Sequence, residues 1–403
     1  MASTTIKAQD MTTMIKALRL NSGEEIHFTF NAAKQGDISM SIATVVKGFS
    51  EIQTRCVSDG DEAFKACVAF SAFVSLAERL ADYGKDIVIA KKEATLNLSI
   101  SEDISIDIPL REDKEGYDIT PSKEDFIAAI DLSVASFNAL QKKGASAADT
   151  ASSQEMGKVV TFTVEGERIT ADSLSGATIA SCTEACKVAI HQRVEDGVVT
   201  AADNKASFSL NADTFKTVSA LVAMSTKVRL MLAKASVMVG TDKAILIVPY
   251  ATTKTVVQQF LPQFNKEHPA CKFTTDAEEL KKGVALLRVT SSKNTVVFID
   301  CDGAVILKDE NDNKVKLATS EIEGIAPRVA LSAPLVEKAL NALDKGNITI
   351  SLFDSERIPT LFENGTVSEP KKDSSFYVLR VKTAEKAEES EESEDETEES
   401  AEE

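Results

Sequence analysis

The stretch "VALSAPLVEKALNALDKGNITISLF", from Val329 to Phe353, combines four structural signals. An apolar run leads to Ser332, and the residues that follow place apolar side chains at helical spacing. Gly346 then marks a turn, and alternating apolar residues resume after it. This pattern predicts a strand, a capped helix, a turn and a second strand. Because a unit of this kind often recurs, the rest of the chain must be searched for copies.

The same order of elements occurs twice more. From Val68 to Ile100, an apolar run leads into a helix with Ser71 as its predicted N-cap and Gly84 as its stop. From Ala206 to Gly240, the predicted helix has Asn211 as its cap. Equivalent positions of the three copies, 140 and then 121 residues apart, are Phe70, Leu210 and Leu331. Three copies at this spacing predict three similar domains.

A second helix precedes each copy in the predicted pattern. These helices start at Gln9, Ser122 and Asp276, and alternating β-rich segments such as Lys158–Ala171 and Thr295–Lys308 come after them. Each domain is therefore predicted to pack two helices on a mostly antiparallel sheet, which is an α+β fold.

Polar connections near Tyr117 and Asn265 set the predicted domain boundaries. The predicted domains are residues 1–117, 118–265 and 266–383. Residues 384–403 hold twelve acids and one lysine, so they carry −11 of the net charge of −18. This segment has no large apolar residue and is predicted to be a disordered acidic tail.

Composition limits the class of protein. No apolar run reaches the roughly 18 residues that a membrane-spanning helix needs, and the first residues lack a signal-peptide core. The six cysteines are irregularly spaced, which fits reduced thiols better than a disulfide framework. We therefore expect a soluble cytoplasmic protein without a membrane partner.

The candidate metal sites lack the ligands that a metal ion needs. The segment "DENDNK" from Asp309 imitates the start of a calcium loop, but Lys314 stands where that loop needs glycine. A hairpin tip is the better interpretation. Cys182, Cys186 and His191 lack a fourth ligand and a regular spacing. We expect neither a metal site nor a cofactor.

No catalytic arrangement is evident either. The chain has no nucleophile elbow and no phosphate loop, and its three histidines are widely separated. Asp300 and Asp302 alternate with apolar residues, which predicts a polar sheet face rather than a two-metal site. The sequence therefore predicts no catalytic residues.

Three segments carry a resemblance to a known family. "LPQFNKEHP" (Leu261–Pro269) is similar to the junction that closes the second domain of the bacterial β-type sliding clamp, the DNA polymerase III beta subunit. The unit Val329–Asp354 and the strand "FYVLRV" (Phe376–Val381) are also similar, and the resemblance spans about residues 5 to 383. The family's Gly-His-Arg turn is replaced here by "ADSLSGATIA" from Ala171. This divergence, with the added acidic tail, fits a viral or otherwise distant member.

The resemblance implies a head-to-tail homodimeric ring that encircles duplex DNA without regard to sequence. In such a ring Lys and Arg on helices contact phosphates weakly. The implied DNA-lining residues are Lys16, Arg19, Arg79, Lys216, Lys282 and Lys338. Taken singly, each is better explained as an ordinary solvated helix charge, but the set as a whole, given the resemblance, favours the lining role.

The resemblance also implies partners. In the family, a replicative DNA polymerase and other clients insert a short, partly apolar peptide into a cleft between the second and third domains. An ATP-dependent clamp loader is a further implied partner. The implied cleft positions are Leu174, Pro269, Ile358, Leu379 and Arg380. The sequence therefore predicts a non-enzymatic processivity factor that encircles DNA. The alternatives are an enzyme with dispersed catalytic residues and a cytosolic scaffold of repeated domains.

Overall fold

The computed structural model describes most of the chain. The described residues are 3–20, 25–31, 38–43, 52–56, 64–112, 125–190, 193–195, 198–200, 205–223, 225–242, 245–264, 268–289 and 296–381. They belong to two compact units. The predicted acidic tail lies outside the described residues. Unit one is drawn from Met1–Gln141, Thr163–Ile169 and Glu184–Thr252; unit two is drawn from Lys142–Phe162, Thr170–Thr183 and Thr253–Glu403. Residues 118–265 are divided between the units, and the three-domain boundaries remain a prediction.

The helices are short and amphipathic. They are α1 (Ala8–Leu20), α2 (Phe70–Ala81), α3 (Val134–Ala139), α4 (Ala212–Val222), α5 (Val257–Phe264), α6 (Ala277–Val289) and α7 (Ala333–Ala342). A π-helical turn, Leu140–Gly144, continues α3, and a 3-10 turn covers Glu155–Lys158. Within the described residues, no helix combines the length and the apolar character needed to cross a membrane.

Strands make up most of the remaining described residues. In the first part of the chain they are β1 (Ser3–Ile6), β2 (Glu25–Asn31), β3 (Ile38–Ala43), β4 (Ile52–Cys56), β5 (Phe64–Ala69), β6 (Ile87–Lys91), β7 (Thr95–Ser99), β8 (Ser105–Pro109) and β9 (Phe126–Leu132). In the middle they are β10 (Val159–Glu165), β11 (Arg168–Ser175), β12 (Thr178–Ala185), β13 (Lys187–Ile190), β14 (Arg193–Glu195), β15 (Val198–Thr200), β16 (Lys205–Asn211), β17 (Val228–Ala233), β18 (Ser236–Thr241) and β19 (Ile245–Pro249). In the last part they are β20 (Cys271–Asp276), β21 (Val296–Cys301), β22 (Val305–Lys308), β23 (Lys314–Lys316), β24 (Thr319–Gly324), β25 (Ala326–Ser332), β26 (Asn347–Leu352), β27 (Thr360–Gly365) and β28 (Pro370–Val378).

Among the described residues, unit one contains the two-stranded ribbon β14-β15 and two larger antiparallel sheets. One has four strands in the order β1-β6-β7-β8, and the other has nine in the order β13-β9-β17-β18-β19-β4-β3-β2-β5. In the larger sheet, Leu246 of β19 lies opposite Ile52 of β4. Strands from the predicted first and second domains therefore share one sheet.

The core of unit one lies where its helices pack on the sheets. Helix α1 lies beside α2, and α3 lies beside α4. The rings of Phe28 and Phe73 meet edge to face at 4.8 Å, and those of Phe137 and Phe215 do so at 5.4 Å. All four rings are almost wholly buried, so these pairs contribute both apolar burial and favourable ring geometry.

Unit two repeats this architecture. Seven strands of a nine-stranded sheet, in the order β11-β12-β28-β27-β26-β20-β24, and a four-stranded sheet in the order β23-β22-β21-β25 hold α6 and α7. Leu280, Val284 and Leu287 of α6 are buried with Val336 and Leu340 of α7 in one core. Both helices bury residues at i, i+4 and i+7 or similar spacing, as an amphipathic helix on a sheet requires.

The predicted strand-helix-strand repeat is confirmed in all three copies, as β5-α2-β6, β16-α4-β17 and β25-α7-β26. Gly84 ends the turn after α2 in the left-handed region (φ 68°), as its role as a stop requires. The predicted N-cap Ser71 is wrong. Helix α2 already begins at Phe70, and Ala69 occupies the cap position.

The helix predicted from Ser122 is wrong over its first half. Residues Phe126–Leu132 form strand β9, which pairs with both β13 and β17. Its apolar residues have strand partners on each side, so sheet pairing overrides their helical spacing. The helix α3 begins only after Ser133, whose hydroxyl accepts a hydrogen bond from the Ser136 amide at 2.9 Å.

The predicted hairpin tip at Asp309 is confirmed. The buried Asp309 carboxylate accepts hydrogen bonds from the amides of Asn311 and Asn313, each at 2.9 Å. The carboxylate thus orders the turn between β22 and β23. Asp300 likewise lies between Lys308 (2.6 Å) and Arg328 (2.9 Å) on a polar sheet face.

The expectation of reduced cysteines is wrong for one pair. Cys271 of β20 and Cys301 of β21 are joined by a disulfide in the core of unit two. Cys67, Cys182 and Cys186 are buried free thiols. The pairing follows from how the strands pack, which irregular spacing along the chain does not reveal.

Candidate partner-binding cleft and helix surfaces

An apolar cluster, which we call the cleft cluster, lies in unit two apart from the main core. Ile179, Val257 and Tyr377 are buried at its base, and the half-buried side chains packed against them are Leu174, Leu261, Phe264 and Leu361. Strand pairing places Ile179 of β12 directly opposite Tyr377 of β28. Strands β11, β12, β27 and β28 therefore build the floor, and α5 supplies the cover.

Aromatic rings extend the cleft cluster to the surface. The Phe264 ring lies 5.7 Å from that of Tyr377, and the Phe260 ring is stacked on Phe264 at 6.4 Å with an interplanar angle of 12°. Phe260 and Leu379 are both exposed although they are large and apolar. Phe260 is therefore an exposed apolar side chain in contact with the cleft cluster, which makes this surface a candidate for binding.

Burial shifts the pKa values of two ionisable groups near the cleft cluster. It raises the pKa of Tyr377 to about 12, so the phenol is neutral at physiological pH. It also lowers the pKa of the Arg380 guanidinium, and the carboxylates of Glu356 and Asp354 oppose that shift. Arg380 donates a hydrogen bond to the Phe353 carbonyl oxygen. The charged group at this end is therefore held against the protein's own backbone.

The structure brings only part of the predicted cleft residues into the cleft cluster. Leu174 belongs to it, and Leu379 follows β28 with its amide bonded to the Ala177 carbonyl oxygen at 2.9 Å. Pro269 is half-buried just before β20, and Ile358 is buried after a turn at Ser355. These two are not members of the cluster.

Sequence reasoning missed most of the cleft cluster. Leu261 and Phe264 lie within the segment that was singled out as a domain junction, and their spacing of three places both on one side of α5. That spacing was the available signal. Ile179, Leu361 and Tyr377 come from three different strands, and no local pattern connects them.

The predicted DNA-lining residues have different surroundings. Arg79 at the end of α2, Lys216 of α4 and Lys282 of α6 are exposed. Lys16 and Arg19 lie on α1, but their side chains lie outside the described residues. The backbone of α1 does not by itself test their role.

Lys338 of α7 is half-buried and engaged within its own unit. Its Nζ donates a hydrogen bond to the Ala147 carbonyl oxygen at 3.0 Å. Burial lowers the pKa of the amine, and Asp149 opposes that shift. Lys338 lines an open groove of about 350 Å³ together with Lys142, Ser146, Pro334, Glu337, Asn341 and Ala342.

Hydrogen bonds cross-link the helices beside this groove. Lys281 of α6 donates to Asn341 of α7 at 2.7 Å, and Arg288 of α6 donates to Glu337 of α7 at 2.5 Å. Lys142 donates to the Leu343 carbonyl oxygen at 3.0 Å, near the end of α7 where a cation is favourable. Several basic groups of the α6–α7 surface are thus held by neutral or acidic partners.

The described residues contain no group of histidine, cysteine, aspartate or glutamate side chains suited to hold a metal ion. The cleft cluster is apolar and its rim is neutral or engaged in internal bonds. Such a surface is suited to bind an apolar anchor.

The fold of this chain is that of solved DNA clamps. The chain is similar to the DNA polymerase III subunit beta of Pseudomonas aeruginosa, with a TM-score of 0.74 and 11% identity over 94% of this chain and 100% of that chain. It is also similar to the DNA polymerase III beta subunit of Thermotoga maritima, with a TM-score of 0.72 and 14% identity over 95% of this chain and 100% of that one. A third similar structure is the DNA polymerase sliding clamp of Bacillus subtilis, with a TM-score of 0.75 and 11% identity over 95% of this chain and 99% of that one.

No protein-family model and no curated protein matches the sequence. At 11–14% identity these likenesses establish the fold. The α+β architecture predicted from the three repeats is therefore confirmed.

Proposed function

We propose that this protein is a DNA sliding clamp, a non-enzymatic processivity factor that encircles duplex DNA and tethers a replicative polymerase. The observation that carries the proposal is the clamp fold, which three solved clamps share over 94–95% of this chain and 99–100% of their own length. A clamp stays on DNA by topology, so it needs only weak, sequence-independent phosphate contacts. The exposed cations Arg79, Lys216 and Lys282 are suited to that role.

The cleft cluster is the proposed site for clients, namely the replicative polymerase and an ATP-dependent clamp loader. A client would insert a short peptide with an aliphatic or aromatic anchor between α5 and the strands beneath it. Such anchors dominate binding energy when they fill a preformed apolar groove. Leu174, Phe264 and Tyr377 belong to the cleft cluster, and the exposed Leu379 follows the strand that contains Tyr377.

Ring closure is proposed to occur by head-to-tail contact between two copies. Each unit offers a suitable apolar surface. In unit one, the outer strand β8 exposes Ile106. In unit two, the end of α6 exposes Leu286 (62%) and Val289 (84%). Exposed apolar groups on an edge strand and on a helix end are unfavourable in water and favour burial against a second copy.

The test is whether the protein is retained on circular DNA. A clamp bound to a nicked circular duplex should remain bound through gel filtration and should be released when the DNA is cut to a linear form. Electron microscopy should show a particle with a hole wide enough for duplex DNA. A particle without such a hole, or equal retention on linear and circular DNA, would overturn the proposal.

A further inference from the structure

Helix α5 covers the cleft cluster, yet little in the helix itself holds it in place. It has only eight residues and contains Pro262, and so short a helix is marginal without tertiary contacts. Of the eight residues of this helix, all of which the structure describes, Val257 alone is buried. Its position must therefore depend on contacts outside the helix.

Two polar contacts hold the beginning of α5. The Thr255 amide, just before the helix, donates to the Thr161 hydroxyl at 2.9 Å. Within the first turn, Gln258 Nε2 donates to Asp172 Oδ2 at 2.5 Å. Asp172 lies on β11, two residues before Leu174 of the cleft cluster. The Asp172–Gln258 bond thus connects the cover of the cleft to its floor.

Asp172 is an unusual residue to find at this place. Its side chain is 0% exposed, and its Oδ1 has no hydrogen-bond partner among the described residues. Gln258, in contrast, is exposed apart from its amide contact. A buried carboxyl group is costly to desolvate, and here only the side chains of Gln258 and Ser181 offset that cost. A neutral apolar residue on β11 would avoid that cost.

We propose that Asp172 is a positioning residue for client binding: through Gln258 it fixes α5 over the strands and so sets the width of the apolar cleft. The inference rests on the proposed function of the cleft. Asp172 is buried beneath the helix and does not itself touch the client. Loss of its bond releases the first turn of α5, and Phe260, Leu261 and Phe264 move with that helix.

The absence of tryptophan from the sequence gives a direct test. Phe260→Trp places a single tryptophan on α5, and acrylamide quenching of its fluorescence reports how firmly the helix is packed. In this background, Asp172→Ala and Gln258→Ala should both increase quenching. Gln259→Ala, which changes the same residue type at the next position of the helix, should not. This readout needs no client.

Client binding is measured with a fluorescein-labelled peptide that carries adjacent Leu and Phe anchors, chosen to match the aliphatic and aromatic walls. Loss of one buried hydrogen bond should weaken the peptide about tenfold. The double variant Asp172→Ala with Gln258→Ala should bind no more weakly than Asp172→Ala alone, because that single substitution already removes the bond to Gln258. Asp172→Asn should retain affinity, since its amide oxygen still accepts from Gln258.

Unchanged quenching in Gln258→Ala, or additive losses in the double variant, would overturn the positioning role. Gln258→Ala changes an exposed side chain, so it keeps the test valid even if Asp172→Ala fails to fold. If the peptide binds no variant but quenching rises as expected, the proposed client site is wrong while the Asp172–Gln258 tether stands. If the peptide binds the Phe260→Trp protein and every other variant equally, the tether has no role in client binding.

Discussion

Lys338 on α7 donates a hydrogen bond to the carbonyl oxygen of Ala147 over 3.0 Å. Lys282 on α6 is exposed. The two lysines share one predicted role, contact with DNA phosphates, but the structure gives them different surroundings. An ammonium group that is held by a backbone carbonyl contributes to stability, whereas a solvated one is available to a phosphate.

This difference in surroundings predicts that the same substitution affects DNA binding at Lys282 and the stability of the fold at Lys338. Lys282→Met should reduce the slope of log binding constant against log salt by about one unit, because one phosphate contact is lost. Lys338→Met should instead lower the free energy of unfolding by about 1 kcal/mol, because the hydrogen bond to Ala147 is lost. DNA-binding titrations at several salt concentrations and urea denaturation measure the two effects. If Lys338→Met instead reduced the slope of log binding constant against log salt by a full unit, Lys338 would contact DNA as the sequence predicts.

The second prediction concerns the client cleft. Leu379→Asp places a charge directly after the strand that contains Tyr377 and should abolish polymerase binding while dimerisation persists. Ile127→Asp is the matched control, because Ile127 on β9 is equally exposed (41% against 40%) but lies in unit one. Surface plasmon resonance with immobilised polymerase gives the affinities. If both variants bind the polymerase as the unchanged protein does, the client site lies elsewhere.

The third prediction concerns self-association. Val289→Asp together with Leu286→Asp should convert the proposed dimer to monomer, since two charges would have to be buried at the contact. Tyr83→Asp, at another exposed large side chain, should leave the dimer intact. Sedimentation equilibrium measures the mass of each. A double variant that keeps the mass of a dimer would exclude the end of α6 from the interface.

The fourth prediction concerns acid stability. Burial favours a higher pKa for Asp344, but the hydrogen bond and charge of Lys143, with help from Lys142, outweigh it and lower that pKa. The carboxylate therefore stabilises the fold above the pKa of an unfolded aspartate, about 4, and this contribution is lost as the pH falls through the lower folded pKa.

Asp344→Asn should accordingly flatten the acid side of the curve of unfolding free energy against pH. Because the Asp344 side chain is 52% exposed, water screens the pair and the effect should be small. Asp302→Asn, in an exposed turn, is the control. Urea denaturation from neutral pH down to about pH 3 provides the curves. Identical curves for Asp344→Asn and the unchanged protein would show that the interaction between Asp344 and Lys143 does not stabilise the fold.

The fifth prediction concerns the acidic tail, which lies outside the described residues. Truncation after Lys382 removes a charge of −11 and should leave the thermal midpoint and the oligomer unchanged. Because the tail acts at a distance through its charge, association rates with clients should change at low salt and converge at high salt. Stopped-flow association at two salt concentrations distinguishes this from a purely solubilising role, for which the rates would be equal.

The fold could be predicted where local pattern and tertiary role agree. Helix α6 is one example: Leu280, Val284 and Leu287 follow helical spacing and are all buried. Strand β9 is the opposite case, because its apolar residues satisfy a helical pattern while two neighbouring strands pair with it. The spacing of residues along the sequence does not show which strands will lie beside a segment, and those neighbouring strands decide whether it forms a helix or a strand.

The cleft shows the same limit. Leu174 and Leu379 could be selected from a resemblance in segment order, whereas Tyr377 meets Ile179 only through the register of β28 on β12. Asp172 is harder still, since a single aspartate in a strand predicts a solvated side chain. Its burial and its bond to Gln258 depend on a helix 86 residues further along the chain.

The shared sheet of unit one has a consequence for how the chain folds. While the chain is being synthesised, β4 is complete long before its partner β19 emerges, so one edge of β4 stays unpaired throughout that interval. A waiting edge of this kind invites pairing with strands of other chains. A fragment that ends near residue 117 would retain that open edge permanently, and we expect it to aggregate rather than to fold as an independent domain.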